Sequence, residues 1–426
     1  MTDLFIANGR VVDPARTVDT RQNVLVRGGR IAEFTAAKTP PAGVPVFDAR
    51  GAVVAPGFID IHTHLRDPGQ EYQEDIASGM AAAAAGGFTA VVCMANTNPV
   101  NDTAAVTRYI LSRAHEVGRV RCYPVGAITR GLTGETLADI GDMAAHGIVA
   151  VSDDGQTITD TQVMRRGMEY ATTFGLPVIV HCEDTFLCDG TAMHEGIVAT
   201  TLGLRGRPAE SEEIIVRRDI ALARLTGARL HVAHVSAAES VDAIRAAHAA
   251  KLRVTAEVTP HHLLLTDAAV GAYDTNAKVN PPLRDERHRA ALRQALRDGV
   301  FSAIATDHAP HNVIEKEVPF EEAACGMIGL ESAFALSCRL VEERVLPFPR
   351  LIALLTIGPA TALGLPGGTM AIGQPADITI VDPKAPVTIR TDRMCSKSRN
   401  SPFHGWKCRG AVRATIVGGR VVYQSS

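Results

Sequence analysis

The chain has 426 residues, 46% hydrophobic and 21% charged, an ordinary globular balance. That length suits one large domain with a smaller one, or two to three ordinary domains. The formal net charge of -3 argues against a nucleic-acid-binding surface, yet leaves room for a local basic pocket that takes a small anion. The start, MTDLFIANGRVVDP, lacks the basic-then-apolar pattern of a signal peptide, and no stretch nears the roughly 18 uninterrupted apolar residues of a membrane span. The eight cysteines are scattered without a CxxC pair, which predicts reduced, mostly buried thiols and a cytoplasmic location.

From the N-terminus, Leu4-Phe5-Ile6-Ala7 runs into Asn8-Gly9, a hairpin signal. Val24-Leu25-Val26, Gly28-Gly29 and Arg30-Ile31-Ala32 predict another. The far end is alike: a strand at Ala376–Val381, then Ala414–Val417, Gly418-Gly419 and Arg420–Val422 as a hairpin. Neither end carries enough apolar surface to stand alone. Residues 1–53 and 367–426 are therefore expected to pair into one small β-sandwich domain around a central insertion.

The insertion, 54–366, alternates apolar runs with helical stretches rich in Ala, Arg and Glu. The runs are Phe58–Ile61, Thr89–Cys93, Ile148–Val151, Val178–Val180, Leu230–Ala233, Val254–Glu257 and Ala303–Ala305. Continuous apolar runs suit parallel strands buried on both faces. The alternation predicts an α/β fold, a (β/α)₈ TIM-type barrel. A doubly wound open sheet is the rival, and no GxGxxG turn follows the first strand to support its dinucleotide-binding version.

The strand runs end in metal-binding residue types. Phe58–Ile61 leads into His62-Thr63-His64, and residues two apart on a strand share a face, so both imidazoles point into the barrel mouth. The pattern repeats with His181, His234, Asp307 and Asp153-Asp154-Gly155, at the strand ends where barrel active sites sit. Four histidines and a carboxylate exceed the needs of one tetrahedral zinc with an open position and fit a two-metal site with a bridging ligand. No lysine lies between Leu65 and Val180, so a carbamylated lysine is absent from that stretch. Asp153 or Asp154 is the available bridge; Asp154 is favoured, and Asp153 caps the following turn. Asp307 opens Asp307-His308-Ala309-Pro310-His311 and is placed to take and return a proton, or to act as a plain ligand. His261-His262 reads as a structural pair.

Asp60-Ile61-His62-Thr63-His64-Leu65-Arg66-Asp67-Pro68-Gly69 resembles the first signature of dihydroorotases in the amidohydrolase superfamily. Ala305–His311 with Lys316 resembles the second. Asn280-Pro281-Pro282-Leu283-Arg284 and Asp153-Asp154-Gly155 resemble the bacterial type I form. The resemblance implies His62, His64, His181, His234 and Asp307 as metal ligands, Asp154 as bridge between two zinc ions, and Asp307 as acid/base. It also implies that Arg66, Asn96, Asn280 and His311 bind substrate; a turn or cap role is the other reading of Asn96 and Asn280. Arg66 carries a donor fork suited to a carboxylate. Where the family has Pro-Phe-Gly, this chain has Ala324-Cys325-Gly326. Backbone groups of Cys325 and Gly326 are still expected at the substrate, while loss of the phenyl ring alters loop packing around Glu315–Glu322.

The activity implied is reversible cyclisation of N-carbamoyl-L-aspartate to dihydroorotate, with a metal-activated hydroxide in the hydrolytic direction. Hydrolysis is expected to be favoured at higher pH and cyclisation at lower pH. The partners implied are that small-molecule substrate, a second copy as homodimer, and aspartate transcarbamoylase, with no nucleic acid or membrane. The competing readings are a related cyclic amidase (hydantoinase, dihydropyrimidinase or allantoinase), whose substrates lack the carboxylate, and a non-catalytic scaffold for aspartate transcarbamoylase, which tends to lose metal ligands.

Overall fold

In the computed structural model, which describes residues 2–37 and 39–425, the apolar runs of the insertion become eight parallel strands. They are β1 (Phe58–Thr63), β2 (Phe88–Cys93), β3 (Arg121–Gly126), β4 (Ala150–Val151), β5 (Val178–Val180), β6 (Leu230–Val232), β7 (Val254–Val258) and β8 (Ala303–Ile304), neighbours in that order. One set of strand residues, including Ile59, Val92, Val125, Ala150 and Ile179, clusters with Leu363 and Leu365 inside the barrel. The alternate set, including Phe58, Val91, Val178 and Leu230, packs outward on helix residues such as Met80 and Val216. Burial on both faces is what makes these runs continuous in hydrophobicity.

The sheet closes on itself between β1 and β8. Thr63 and His308 form a parallel bridge, and the His64 amide donates to the His308 carbonyl at 2.9 Å. Beneath this seam lies the buried carboxyl of Asp60. It accepts from the Thr306 amide (3.1 Å), the Thr306 hydroxyl (2.6 Å) and the His62 amide (3.2 Å). Burial raises its pKa to about 7 against the pull of those donors. One side chain thus fixes the two strands that carry His62 and Asp307.

β3 is the barrel strand that the apolar pattern does not reveal. Its sequence, Arg-Cys-Tyr-Pro-Val-Gly, places a proline in a central strand, where a ladder donor is lost. The adjoining β4 has only two residues, and the Pro124 carbonyl still accepts from the Val149 amide at 3.0 Å.

Both termini build the second body. A six-stranded sheet runs in the order 420–424, 407–417, 378–388, 53–56, 10–13, 18–21, and a four-stranded sheet in the order 30–35, 23–27, 4–7, 46–48. Ile6, Val24 and Val26 of the smaller sheet share one core with Val54, Ile378, Ile380 and Ile416 of the larger, a β-sandwich. Val53–Pro56 straddles the expected division at residue 53 and lies in this terminal sheet. Hairpins form across Gly28-Gly29 and across Gly418-Gly419, whose positive φ values match the tight turns that glycine permits. The hairpin expected at Asn8-Gly9 does not form. Leu4–Ala7 pairs with Asn23–Arg27, whereas Arg10–Asp13 pairs with Val18–Arg21 in the other sheet. Asn8-Gly9 is instead a corner between sheets, because both strands have an apolar face that must be covered.

All eight cysteines are unpaired, six of them buried and Cys325 and Cys395 exposed. Among the described residues, no helix is long and apolar enough to cross a membrane.

Replacing Asp60 with Ala strands three buried donors, each worth about 1–3 kcal/mol when unsatisfied. Denaturant unfolding of Asp60→Ala is therefore expected to show a loss of at least about 3 kcal/mol.

Candidate active site

The polar residues expected from the strand ends converge at the C-terminal mouth of the barrel. A cavity of about 230 Å³ is lined by His64, Arg66, Asn96, Asp154, His181, His234, Asn280, Asp307, His311, Cys325 and Gly326. His62 lies just behind it, fully buried. Three of these residues, Arg66 (φ 61°), His234 (29°) and Asp307 (48°), hold left-handed backbone, strain of the kind that concentrates at functional sites.

Asp154 stands at the centre. Its Oδ1 is 3.4 Å from His62 Nε2, 3.6 Å from His234 Nε2 and 3.9 Å from His181 Nδ1, and its Oδ2 is 3.5 Å from His64 Nε2. Asp307 Oδ1 is 3.1 Å from His64 Nε2 and 3.6 Å from His62 Nε2. Most of these separations are too long for good hydrogen bonds, and His62 Nε2 and Asp154 Oδ1 are buried with no hydrogen-bond partner. Two donors bound to one zinc at its usual bond lengths lie roughly 3.3–3.6 Å apart.

The far side of each imidazole explains which nitrogen is presented. His62 Nδ1 donates to Glu257 at 2.7 Å, and His64 Nδ1 donates to Asn96 Oδ1 at 2.9 Å. His181 Nε2 faces Glu183 at 3.1 Å, which leaves its Nδ1 3.0 Å from His234 Nε2. Ring nitrogens of three imidazoles therefore converge with two carboxylates at the buried floor of the cavity, an arrangement suited to holding a cation among them. The potential there has the matching sign. Burial lowers the His62 pKa, yet Asp154 and Glu257 outweigh it and leave it well above the ordinary value. Burial pushes Asp154 up, and His62, His234 and His64 carry it well below the usual carboxylate range. Asp307 is likewise held low, by His64 and His62 against burial. The donor set fits a metal centre.

Asp153 has another task. Its carboxylate accepts from the amides of Ile128 (2.7 Å) and Thr129 (3.0 Å) and from the Thr129 hydroxyl. The side chain thus anchors the loop after β3, and it is the Asp153 carbonyl, accepting from the Gln156 amide, that takes part in the following turn. In the buried pair His261-His262, His262 is bonded to Thr259 and to the Pro281 carbonyl.

On the opposite wall Arg66 is half-buried. Its Nε reaches the Pro310 carbonyl at 3.3 Å and one terminal nitrogen lies 3.3 Å from His311 Nε2. That imidazole nitrogen already faces the Cys325 carbonyl at 2.9 Å. Burial, Arg66 and Lys316 hold the His311 pKa at about 4, so the ring is neutral near pH 7. Among the described residues, no carboxylate lies within ion-pair distance of Arg66. Asn280 lines the cavity while its amide group bonds Glu183 at 2.6 Å and Arg207. Cys325 is exposed; its loop is pinned by Lys316 Nζ on the Ala324 carbonyl (2.6 Å) and by buried Phe320 beneath Lys278. A Cβ on Gly326 (φ 140°) would sit 2.7 Å from the Ala309 Cβ, so only glycine fits there.

Sequence reasoning gave no role to Glu183, Glu257 or Asn400. Glu183 was within reach, since it lies two residues after His181, the spacing already used for His62 and His64. Glu257 carried a signal as a charge inside an apolar strand.

A family profile described as Dihydro-orotase-like matches residues 51–240. The chain is 53% identical over 423 residues to a dihydroorotase of Syntrophotalea carbinolica, covering 99% of each chain. It is 52% identical to one of Anaeromyxobacter sp. (strain K), covering 99% of this chain and 98% of that one. The chain belongs to the dihydroorotase family. Its fold is also that of the L-hydantoinase of Arthrobacter aurescens, with a TM-score of 0.89 at 24% identity over 100% of this chain and 96% of the other.

A ligand that binds the folded state at 100 times its Kd stabilises by about 2.7 kcal/mol. Zinc added to chelator-stripped protein is accordingly expected to raise the melting temperature by about 3 °C or more, and Asp154→Ala to lose most of that rise, as read by calorimetry.

Proposed function

We propose that the cavity closes and opens the ring of dihydroorotate, interconverting it with N-carbamoyl-L-aspartate. The observation that carries this reading is Arg66, a cation in the cavity wall without a carboxylate partner, facing the metal-ligand cluster. A half-buried charge left without a counter-charge is unfavourable, and a substrate carboxylate would supply one. Hydantoin and dihydropyrimidine rings lack such a group.

His62, His64, His181, His234, Asp154 and Asp307 would hold the metal, which we take to be two zinc ions bridged by Asp154. Nitrogen and oxygen donors of this kind suit zinc, and the two oxygens of Asp154 face different histidines. When bound, the metal supplies Lewis acidity to the ring carbonyl and lowers the pKa of a water.

The chain's own residues do the rest. Arg66 grips the carboxylate and fixes the ring's orientation. Cys325 and Gly326 lie along the edge of the cavity as backbone, and His311, neutral, stays tied to the Cys325 carbonyl. Asn96 and Asn280 line the cavity while holding His64 and the Glu183 network. Asp307, ionised at neutral pH, takes a proton from the attacking water and delivers it to the ring nitrogen as the amide bond breaks. In the cyclising direction the same carboxylate takes the proton of the attacking carbamoyl nitrogen and delivers it to the departing oxygen.

We also place the protein in the cytoplasm, in keeping with eight unpaired cysteines. Association with a second copy, or with aspartate transcarbamoylase, fits the exposed Phe186 and Ile197, 85% and 86% accessible, beyond β5.

The test is steady-state hydrolysis of dihydroorotate. Arg66→Ala is expected to raise KM by about 10²-fold, the loss of two charge-assisted bonds. Asp307→Asn with excess zinc should cut turnover in both directions by about 10³-fold or more. Substantial residual turnover of the Asn variant with metal bound would remove Asp307 from proton transfer.

A further inference from the structure

The substrate-facing backbone around Gly326 and the loop bearing His311 come from separate parts of the chain after β8. A third segment, from the terminal β domain, joins them. Asn400 is buried, with 4% of its surface accessible. Its Nδ2 donates to the Ala309 carbonyl and to the Gly326 carbonyl, each at 3.0 Å. Its Oδ1 accepts from the His311 amide at 3.1 Å, and its own carbonyl accepts from the Ile328 amide at 2.9 Å. Both N–H donors and one of the two acceptor positions of the side-chain amide are spent on these two loops.

The segment that carries Asn400 is itself fixed to the loop that follows Arg66. Ser398 Oγ donates to the Gln73 carbonyl at 2.8 Å, the Lys397 amide to Glu74 at 3.1 Å, and Lys397 Nζ meets Asp75 at 2.6 Å. Asn400 therefore stands where three segments meet: the loop after β1 that contains Arg66, the His311 loop and the stretch around Gly326. It touches none of the cavity's open space. Gly326 has no side chain to lock its position; its amide donates to the Lys278 carbonyl at 2.9 Å, and its carbonyl is held by Asn400.

We propose that Asn400 is a positioning residue for substrate: it fixes the spacing between His311 and the Cys325–Gly326 backbone opposite Arg66, so that ring and carboxylate are held together. This rests on the dihydroorotase reading of the cavity.

The test compares wild type, Asn400→Asp, Asn400→Ala and Ser398→Ala, all loaded with zinc, by dihydroorotate kinetics, metal content, melting temperature and amide exchange over residues 305–330. Asn400→Asp keeps the acceptor for the His311 amide and turns a donor into an oxygen facing two carbonyls. It should raise KM about tenfold, the worth of a lost hydrogen bond or two, with kcat changed less than about threefold and metal content as in wild type. Asn400→Ala should raise KM further and also release the His311 amide, which the Asp variant keeps protected. Ser398→Ala, which loses a buried bond of the same segment but not the clamp, should lower the melting temperature and leave KM within about twofold. The proposal is overturned if both Asn400 variants keep wild-type KM, if Ser398→Ala raises KM as much as they do, or if kcat falls while KM stays. If wild type itself does not hydrolyse dihydroorotate, the reading of the cavity fails, and unchanged exchange across 305–330 in both Asn400 variants would separately remove the clamp.

Discussion

The crowding of imidazole nitrogens around the Asp154 carboxylate is the constraint on which the rest of this structure depends. Buried imidazole nitrogens and two carboxylates are brought together more closely than hydrogen bonds satisfy, with His62 Nε2 and Asp154 Oδ1 left without partners. The protein makes the arrangement tenable by fixing each ring from behind. Glu257 holds His62, Asn96 holds His64 and Glu183 holds His181, so the nitrogens that face inward are those free to bind a cation. Barrel closure serves the same end, because Asp60 ties β1 to Thr306 and so sets His62 against Asp307.

Much of this was legible in the sequence. Strand positions followed from unbroken apolar runs, and the His and Asp residues that gather at the barrel mouth from the residue types that end them. What escaped did so for physical reasons. β3 hides behind Pro124, whose lost donor costs little beside a two-residue neighbour. Asn8-Gly9 has the composition of a hairpin, yet the chain's need to cover two apolar faces sends its flanking strands into different sheets. For Asp153 and Asp154 the sequence favoured Asp154, but the reason Asp153 turns away, the amides of Ile128 and Thr129, lies some 25 positions away in the chain and carries no local mark.

Asn400 shows the limit most clearly. It sits in a polar stretch with no periodic pattern, more than seventy residues beyond Gly326. Only the fold brings it between two loops at the barrel mouth. The small β domain, built from both ends of the chain, is thus more than a lid on exposed sheet edges; a segment of it reaches the cavity wall. The His and Asp cluster, by contrast, is a property of the barrel alone, which is why its residues could be read from strand ends.

On our reading the proposed metal ligands do not by themselves choose among cyclic-amide rings, so substrate choice rests on Arg66 and the cavity around it. The most direct measurement is the ratio of kcat/KM for dihydroorotate to that for dihydrouracil, on the zinc-loaded wild-type protein. A site built around an unpaired cation rejects an analogue lacking the charged partner, so the ratio should be about 10³ or more. A ratio near one would contradict the account and place the chain's chemistry with the carboxylate-free rings.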